Sequence, residues 1–372
     1  MKIGVPKEIK NHEYRVGMTP SAVREAANHG HEIVVETSAG NGISGDDDTY
    51  RAAGAAIVDS AQEVFATADM IVKVKEPQAN ERKMLREGQV LFTYLHLAPD
   101  PEQTKDLVDS GAICIAYETV TDGRGGLPLL APMSQVAGRM SIQAGAHCLE
   151  RAQGGAGVLL AGVPGVRPAK VVIVGGGVVG ENAAYMAVGM GADVTILDRN
   201  VDTMRSLVVR FGQSVKTLYS TSLTLEEEML AADLVIGAVL LPGAEAPKLI
   251  TRDLVSRMKK GSVICDVAID QGGCAETSMA TTHAEPTYVV DDVVHYCVAN
   301  MPGAVSHTST YALNNVTLPF TLALADKGYK QALLDDQHLL NGLNVCQGKV
   351  SYEAVAHDLG YDYIEAKAAL GI

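Results

Sequence analysis

No run of apolar residues in this chain reaches the roughly 18 positions that a membrane-crossing helix needs. No two cysteines form a C-x-x-C pair, and positive charge is scarce: 30 Lys and Arg stand against 44 Asp and Glu, for a formal charge of −14. Each shortage argues against a class of function. The first argues against a membrane protein. The second concerns Cys114, Cys148, Cys265, Cys274, Cys297 and Cys346, which are scattered, with Cys114, Cys265 and Cys297 in apolar stretches. That pattern fits buried, reduced thiols rather than a disulfide or metal framework. The third opposes a nucleic-acid or anionic-membrane partner, because phosphate binding needs a basic surface. Any small anion must be held by a few placed cations or by backbone N–H groups. The start, "MKIGVP", reads as a strand and not as an apolar leader, so a cytoplasmic location is expected. No repeat of fixed period is present.

What the chain does have is length and apolar content. Its 372 residues allow about two domains. A hydrophobic share of 47% with 20% charged residues argues against disorder. Strand-like runs alternate with helical patterns: "HEIVVET" (31–37), "DMIVKVK" (69–75), "QVLFTYLHL" (89–97) and "AICIAYETV" (112–120), then "KVVIVG" (170–175), "DVTILD" (193–198), "DLVIGAVLL" (233–241) and "SVICDVAID" (262–270). Such alternation predicts an α/β fold of parallel sheets with helices on their faces. Residues 127–155 have helical spacing in their middle and predict a long connecting helix, followed by a loop rich in glycine and proline. After position 300 the pattern becomes helical, notably over 313–328 and 351–370. These features predict two Rossmann-like doubly wound domains joined by long connecting helices. The first is discontinuous, 1–128 with 305–372, and the second is the insert 129–304.

The strongest local signal is "KVVIVGGGVVGENAAYMAVGMGADVTILDRN". Gly175, Gly177 and Gly180 form G-x-G-x-x-G between an apolar strand and a helix-compatible stretch, and Asp198 ends the next strand. Gly175 permits a tight turn, Gly177 lets backbone approach a pyrophosphate, and Gly180 lets helix and sheet pack closely. The helix N-terminus then offers N–H groups and positive dipole to the phosphates, a way for an acidic protein to bind an anion. Asp198 suits hydrogen bonds from the adenosine ribose and repels a 2′-phosphate, which favours NAD over NADP. The neighbouring Arg199 reads as solvated.

Two further stretches carry placed charge. "VPKEIKNHEYRVGMTP" (5–20) holds Lys7, Glu8, Lys10, His12, Glu13 and Arg15, just ahead of a helix with Pro20 in its first turn. A guanidinium fork suits a carboxylate bidentately. Lys73 and Lys75 share a face by the strand period of two, and spacing alone does not choose between them. His96 lies at the end of a predicted strand, where α/β sites gather, and imidazole titrates near neutrality. Asp270 ends another.

Taken together, "GVPKEIKNHEYRVGMTP", "VKVKEP" (72–77), "LFTYLHLA" (91–98), "PMSQVAGRMS" (132–141), the glycine motif, "DVAIDQGG" (266–273) and "ANMPGAVSHTST" (299–310) resemble the alanine dehydrogenase and transhydrogenase NAD-binding subunit family over nearly the whole chain. The resemblance implies reversible oxidative deamination of L-alanine to pyruvate and ammonia with NAD reduced. It also implies a homohexamer and substrate in a cleft between the domains. It assigns the substrate carboxylate to Arg15 with Lys75, and acid–base chemistry to His96 and Asp270. Lys7, Glu8, Lys10, His12 and Glu13 are left as ion pairs or wet loop. To the cofactor it carries over Ser134, at the opening of the connecting helix, and Val178 and Val179 at the phosphate turn. Ser220, Val239 and Leu240 would lie around the adenosine and ribose, and Val267, Ala268, Ile269, Asp270, Val298, Ala299, Asn300 and Met301 near the nicotinamide ribose.

The chain also departs from the family pattern. Thr203 and Met279 stand where a basic residue is expected near the adenosine end, with Arg205 as a substitute for the first. Some members hold a divalent ion near the residue matching Glu118, with a histidine on the late helix. Position 327 here is lysine, and no metal is expected. Saccharopine chemistry and a transhydrogenase subunit are weaker readings, since "VKVKEP" suits a short side chain and membrane segments are missing. A noncatalytic NAD sensor is weaker still, because it has no need to keep Arg15, Lys75, His96 and Asp270 together.

Overall fold

The computed structural model describes residues 1–239 and 246–372. They divide into two compact units, Met1–Met133 with Gly303–Ile372, and Ser134–Pro302. The first join falls inside the helix Ala131–Cys148 and the second inside the 3₁₀ turn Met301–Val305. The sequence pattern places the joins at 128 and 305, the first within the expected connecting helix.

The first run of chain contributes β1 (Lys2–Val5), β2 (Glu32–Glu36), β3 (Ala55–Val58), β4 (Met70–Val72), β5 (Val90–Thr93) and β6 (Ile113–Ala116). The middle contributes β7 (Lys170–Val174), β8 (Asp193–Asp198), β9 (Val215–Tyr219), β10 (Leu234–Gly237), β11 (Val263–Asp266), β12 (Thr287–Val290) and β13 (Val293–Tyr296). The end adds β14 (Leu343–Cys346) and β15 (Lys349–Val350). Among the described residues, the first unit's sheet has the order β15-β14-β6-β5-β4-β1-β2-β3, and the second unit's β12-β13-β11-β10-β7-β8-β9. Neighbours are parallel except at β14–β6, β14–β15 and β12–β13. Each sheet is therefore doubly wound. Strand order reverses between β1 and β4 in one and between β7 and β10 in the other, and in such sheets ligands bind beyond the strand ends at the reversal.

The apolar runs fold this way because both sheet faces are covered. In β7, Val171 and Ile173 join one core cluster while Val172 and Val174 join another, the alternation of a strand buried on both sides. The strands are shorter than the runs that announce them. β5 stops at Thr93 and β11 at Asp266, yet Leu95, Leu97, Ala268 and Ile269 beyond them are still buried. Those residues are apolar because the loops at the strand ends are packed, not because the strand continues. The stretch after 300 is not wholly helical. The helix Ser306–Lys327 is followed by β14 and β15, which extend the first sheet antiparallel. No helix of the described residues is long and apolar enough to cross a membrane. All six cysteines are unpaired and buried.

Candidate active site

In the first unit the reversal lies between β1 and β4, and the loops that leave these two strands carry Arg15 and Lys75. They are stitched together at two points. Glu8 Oε1 accepts the backbone N–H groups of Val74 at 2.7 Å and Lys75 at 3.3 Å. At the other end Gly17 lies so close to β4 that an added Cβ would stand 2.2 Å from Val72 O. Asn314 of the late helix then pins the loop's exit, accepting from Thr19 N at 2.6 Å and donating to Gly17 O at 3.0 Å. Thr19 caps the helix Pro20–Asn28, with Pro20 in its first turn.

Arg15 is 2% exposed. Glu13 grips one edge of its guanidinium, Nε to Oε1 at 2.7 Å and Nη2 to Oε2 at 2.5 Å, while Nη1 faces Met133 Sδ at 3.0 Å. Burial works to discharge Arg15, but the Glu13 carboxylate outweighs it and raises the pKa of the guanidinium. Lys73 is wholly buried, with its ammonium 2.7 Å from Glu81 Oε1 and 3.2 Å from Glu8 Oε2. Burial opposes that charge too, and the two carboxylates more than restore it. Lys73 is thus committed to an internal ion network, and Lys75, two residues on and half-buried, is the lysine of the pair that the surface can reach. Glu8 and Glu13 are buried rather than wet: folding places them under the cations, which linear charge density does not reveal. Lys10 pairs with Glu76.

His96 sits three residues past β5 in a left-handed conformation, φ +49°, unusual for a residue with a side chain and characteristic of constrained sites. Glu118 holds it there, accepting from His96 N at 2.6 Å and Leu95 N at 3.2 Å. The imidazole lies parallel to the Tyr94 ring, centroids 5.9 Å apart, with Nδ1 3.9 Å from Glu118 Oε1. Tyr94 is buried, donates to Leu129 O at 2.5 Å, and burial pushes its hydroxyl pKa up, so it stays protonated. The Glu118 carboxylate thus serves the His96 turn, and Lys327 pairs with Asp335 at 2.6 Å.

In the second unit the reversal lies between β7 and β10. Gly175 follows β7 with φ +104°, and a Cβ there would stand 2.7 Å from Ala238 O, past the end of β10. A Cβ on Gly180 would meet Gly175 O at 1.8 Å, so the helix Val178–Gly189 packs directly on the turn. Gly177, at that helix's N-cap, has φ −69°, and its Cβ would meet nothing within 4 Å among the described residues. No contact among the described residues requires glycine at 177. The open space it leaves beside the helix N-terminus is what a dinucleotide's phosphates need, so the residues fit that group. Val178 is exposed and Val179 buried.

Asp198 accepts from Gly176 N at 2.6 Å and Asn200 N at 2.7 Å, tying the end of β8 to the glycine turn. Ser220 follows β9 and is buried; Val239 is half-buried beyond β10; Leu240 lies outside the described residues. Arg205 pairs with Asp202, Thr203 is half-buried and Met279 is exposed. Ser134 does not open its helix, which begins at Ala131 with Pro132 in the first turn; it stands one turn in.

Asp270 does not end a strand. It is exposed on the 3₁₀ turn Val267–Gln271 that follows β11. The turn is built by Asp266, a buried carboxylate that the sequence reading passed over. It accepts from Cys274 N at 2.7 Å, Ser278 Oγ at 2.6 Å and Ala268 N at 3.1 Å. Lys248 closes the far side on the carbonyls of Gly272 and Gly273. Ala268, Ile269, Val298 and Met301 are buried and Val267 and Ala299 half-buried, so their apolar side chains serve packing and they offer backbone. Asn300 is left-handed at φ +62°, and its carbonyl lies 3.1 Å from His283 Nε2.

Sequence reading left out Asp266 and did not give Glu8 or Glu118 its backbone-bracing role. All three are carboxylates that bind backbone N–H groups, and each stands inside or beside a quoted motif, so position rather than residue type was their only signal.

Comparison with known proteins agrees over the whole length. The family model for the N-terminal domain of alanine dehydrogenase/PNT matches residues 4–137, and that for the C-terminal domain matches residues 141–353. The chain is 62% identical over 371 residues to an alanine dehydrogenase of Halomonas elongata, covering 100% of both chains. It is 56% identical over 371 residues to that of Bacillus subtilis, covering 100% of this chain and 98% of the other. A solved L-alanine dehydrogenase structure superposes with a TM-score of 0.94 at 53% identity, over 97% of this chain and 99% of that one. A transhydrogenase structure from Sinorhizobium meliloti, at 24% identity and a TM-score of 0.81 over 95% of this chain and 100% of that one, shares the fold. With both domain models matched in order and such identity end to end, the chain belongs to the alanine dehydrogenase/PNT family.

Proposed function

We propose that this protein catalyses the reversible NAD-dependent oxidative deamination of L-alanine to pyruvate and ammonia. The observation that carries the reading is the pairing of two loops at one sheet reversal. Arg15, buried and held charged by Glu13, leaves β1, and Lys75 leaves β4. Between them they supply the two cations that a single small carboxylate needs, in a protein otherwise short of positive charge.

Arg15 and Lys75 bind and orient the carboxylate, which fixes where the α-carbon points. The nicotinamide of NAD, when bound to the second unit, supplies the hydride acceptor. Gly175, Gly177, Gly180 and the helix start behind them hold its phosphates, Asp198 takes the adenosine ribose and disfavours a 2′-phosphate, and the Val267–Asp270 and Val298–Met301 segments, with Ser134, Ser220, Val239 and Leu240, complete its surroundings. His96 relays the protons that the amine and the attacking water must lose. The left-handed turn braced by Glu118 keeps the ring aligned for that task. Asp270, exposed at the end of its turn, accepts a proton or steadies the substrate's cationic nitrogen.

The working unit is a homohexamer in the cytoplasm. The deciding assay follows NAD reduction with a panel of small L-amino acids, NADP in parallel, and runs pyruvate, ammonia and NADH in reverse. Activity is expected with L-alanine and NAD, rising toward alkaline pH as the ammonium is shed. Equal rates with NADP, or no rate with alanine, overturn the reading. Light scattering on the eluting protein reads subunit number.

A further inference from the structure

We propose that His29, His31 and Asp326 form a binding site for a divalent transition metal, Zn²⁺ being the best match, on the first unit. One ligand atom from each of the three lies within 4.8 Å of the other two. His29 Nδ1 is 3.0 Å from Asp326 Oδ2, and His31 Nε2 is 2.8 Å from Asp326 Oδ1.

The backbone makes this convergence. His29 caps the helix Pro20–Asn28, and Gly30, at φ +84°, then reverses the chain, with Gly30 N bonded to Ala27 O at 2.9 Å and His31 N to Ala26 O at 3.2 Å. The left-handed glycine brings the rings of residues 29 and 31 alongside each other, centroids 6.4 Å apart and tilted by 34°. Asp326 arrives from far along the chain, at the penultimate position of the helix Ser306–Lys327. The set is half-sheltered: the His31 side chain is 7% exposed, and those of His29 and Asp326 are 37% and 38% exposed.

Two imidazoles and one carboxylate are a donor set for Zn²⁺ and its neighbours rather than for Mg²⁺ or Ca²⁺, which prefer all-oxygen cages. Three protein ligands leave the remaining positions to water. Behind His29, Glu25 Oε1 lies 3.8 Å from Nε2, the ring nitrogen left over when Nδ1 binds, where a carboxylate commonly orients a metal-bound imidazole. In the metal's absence both rings stand at hydrogen-bond distance from Asp326. The ion would clip the end of the long late helix to the turn before β2, joining the two chain segments of the discontinuous unit. The site is separate from Arg15, Lys75 and His96, so it adds a structural tie and leaves the chemistry to them.

The test uses the full-length protein freed of metal by chelation and dialysis. Titration calorimetry with Zn²⁺ should show one saturable equivalent per chain, excess Zn²⁺ should raise Tm, and Co²⁺ should give a ligand-field spectrum that Zn²⁺ abolishes. His29→Gln, His31→Gln and Asp326→Asn should each weaken Zn²⁺ binding by at least about tenfold, with alanine turnover unchanged in metal-free buffer. His29 is exposed enough that its variant folds whatever happens at His31. The proposal fails if the wild type binds no saturable equivalent. It fails equally if His29→Gln and Asp326→Asn bind Zn²⁺ as well as the wild type. A drop in Tm that is the same with and without Zn²⁺ also overturns it, since the cluster is then a hydrogen-bonded staple alone.

Discussion

The two units carry sheets wound the same way and place their sites at the same topological position, yet they build them from opposite materials. The first unit uses side-chain charge: buried Arg15 on Glu13, buried Lys73 between Glu8 and Glu81, and the His96 turn on half-buried Glu118. The second uses backbone: glycines at 175, 177 and 180, a helix start, and carboxylates at 198 and 266 that accept main-chain N–H groups. On the proposed function, the difference follows from the ligands. A small amino acid offers little surface and must be fixed through its charges, so cations have to be held rigidly in a desolvated place. A dinucleotide carries its own charge and length, and main-chain dipoles hold its phosphates without cations that an acidic protein lacks. The lesson is that the reversal in strand order provides the place, and the loops decide which physics fills it.

If side-chain charge is what the first unit depends on, its variants should hurt turnover and leave NAD binding alone. His96→Ala should lower kcat by about two to four decades, the range for a lost general acid or base, with NAD affinity measured by NADH fluorescence within about twofold of wild type. A rate near wild type would move the proton relay elsewhere. Arg15→Ala should cost about 3–5 kcal/mol in kcat/KM for alanine, or roughly two to three and a half decades. It should also destabilise the fold, because the buried Glu13 carboxylate loses the Arg15 charge. Adding Glu13→Gln to Arg15→Ala should recover much of the lost stability in denaturant titrations and none of the activity. Recovery of both would mean that Arg15 matters only as Glu13's partner.

How far each site was legible beforehand follows the same division. The glycine motif could be read because its requirements are local: tight turn, close approach and strand-ending acid stand within one short stretch, with Gly175 and Gly180 fixed by close contacts and Gly177 by the open space beside the helix start. The charge-built site could be read only through family resemblance. Seven titratable residues crowd positions 7 to 15, and several of the partners that sort them lie far away in sequence: Lys73 for Glu8, Glu76 for Lys10, Met133 for Arg15. Period-two spacing put Lys73 and Lys75 on one face, but β4 ends at Val72, and burial rather than register separates them. Overall fold class was readable from apolar runs buried on both faces. β14 and β15 were not, because four residues and two are too few to show a period. Strand ends were overshot wherever a packed site loop continued the apolar pattern.

For the backbone-built site the sharp variant is Gly177→Ala. The added methyl meets no atom of the described residues within 4 Å, so unfolding free energy should change by no more than about 1 kcal/mol, the scale of an altered N-cap. NAD binding should nevertheless weaken by an order of magnitude or more, about 1.4 kcal/mol, because the methyl occupies the space into which phosphates approach, while the alanine KM extrapolated to saturating NAD should stay near wild type. If NAD affinity is unaffected, the phosphates do not lie over this turn. If stability collapses instead, the space is not open.

The smallest effect separates the units by pH. His295, in β13 of the second unit, is wholly buried, with Nδ1 3.0 Å from Val293 O and Nε2 2.8 Å from Thr277 Oγ1. A carbonyl can only accept, so Nδ1 carries the proton and Nε2 accepts from the threonine: the neutral ring is fully satisfied. Burial holds its pKa below the ordinary value, against a weaker pull from Val293 and the charges of Asp266 and Asp291. An unfolded histidine takes up its proton near pH 6.5, while the folded ring does so only at lower pH. The unfolded state therefore binds more protons in that interval, and stability is complete above about pH 6.5 and declines as pH falls toward the folded pKa, by at most about 1.4 kcal/mol per pH unit. His295→Gln should lower stability somewhat at pH 7.5 but remove this part of the decline, so urea midpoints measured at pH 7.5 and 5.5 should lie closer together than in the wild type. The charge pairs of the first unit are untouched by the substitution. A pH slope unchanged in the variant would trace the acid sensitivity to that unit instead.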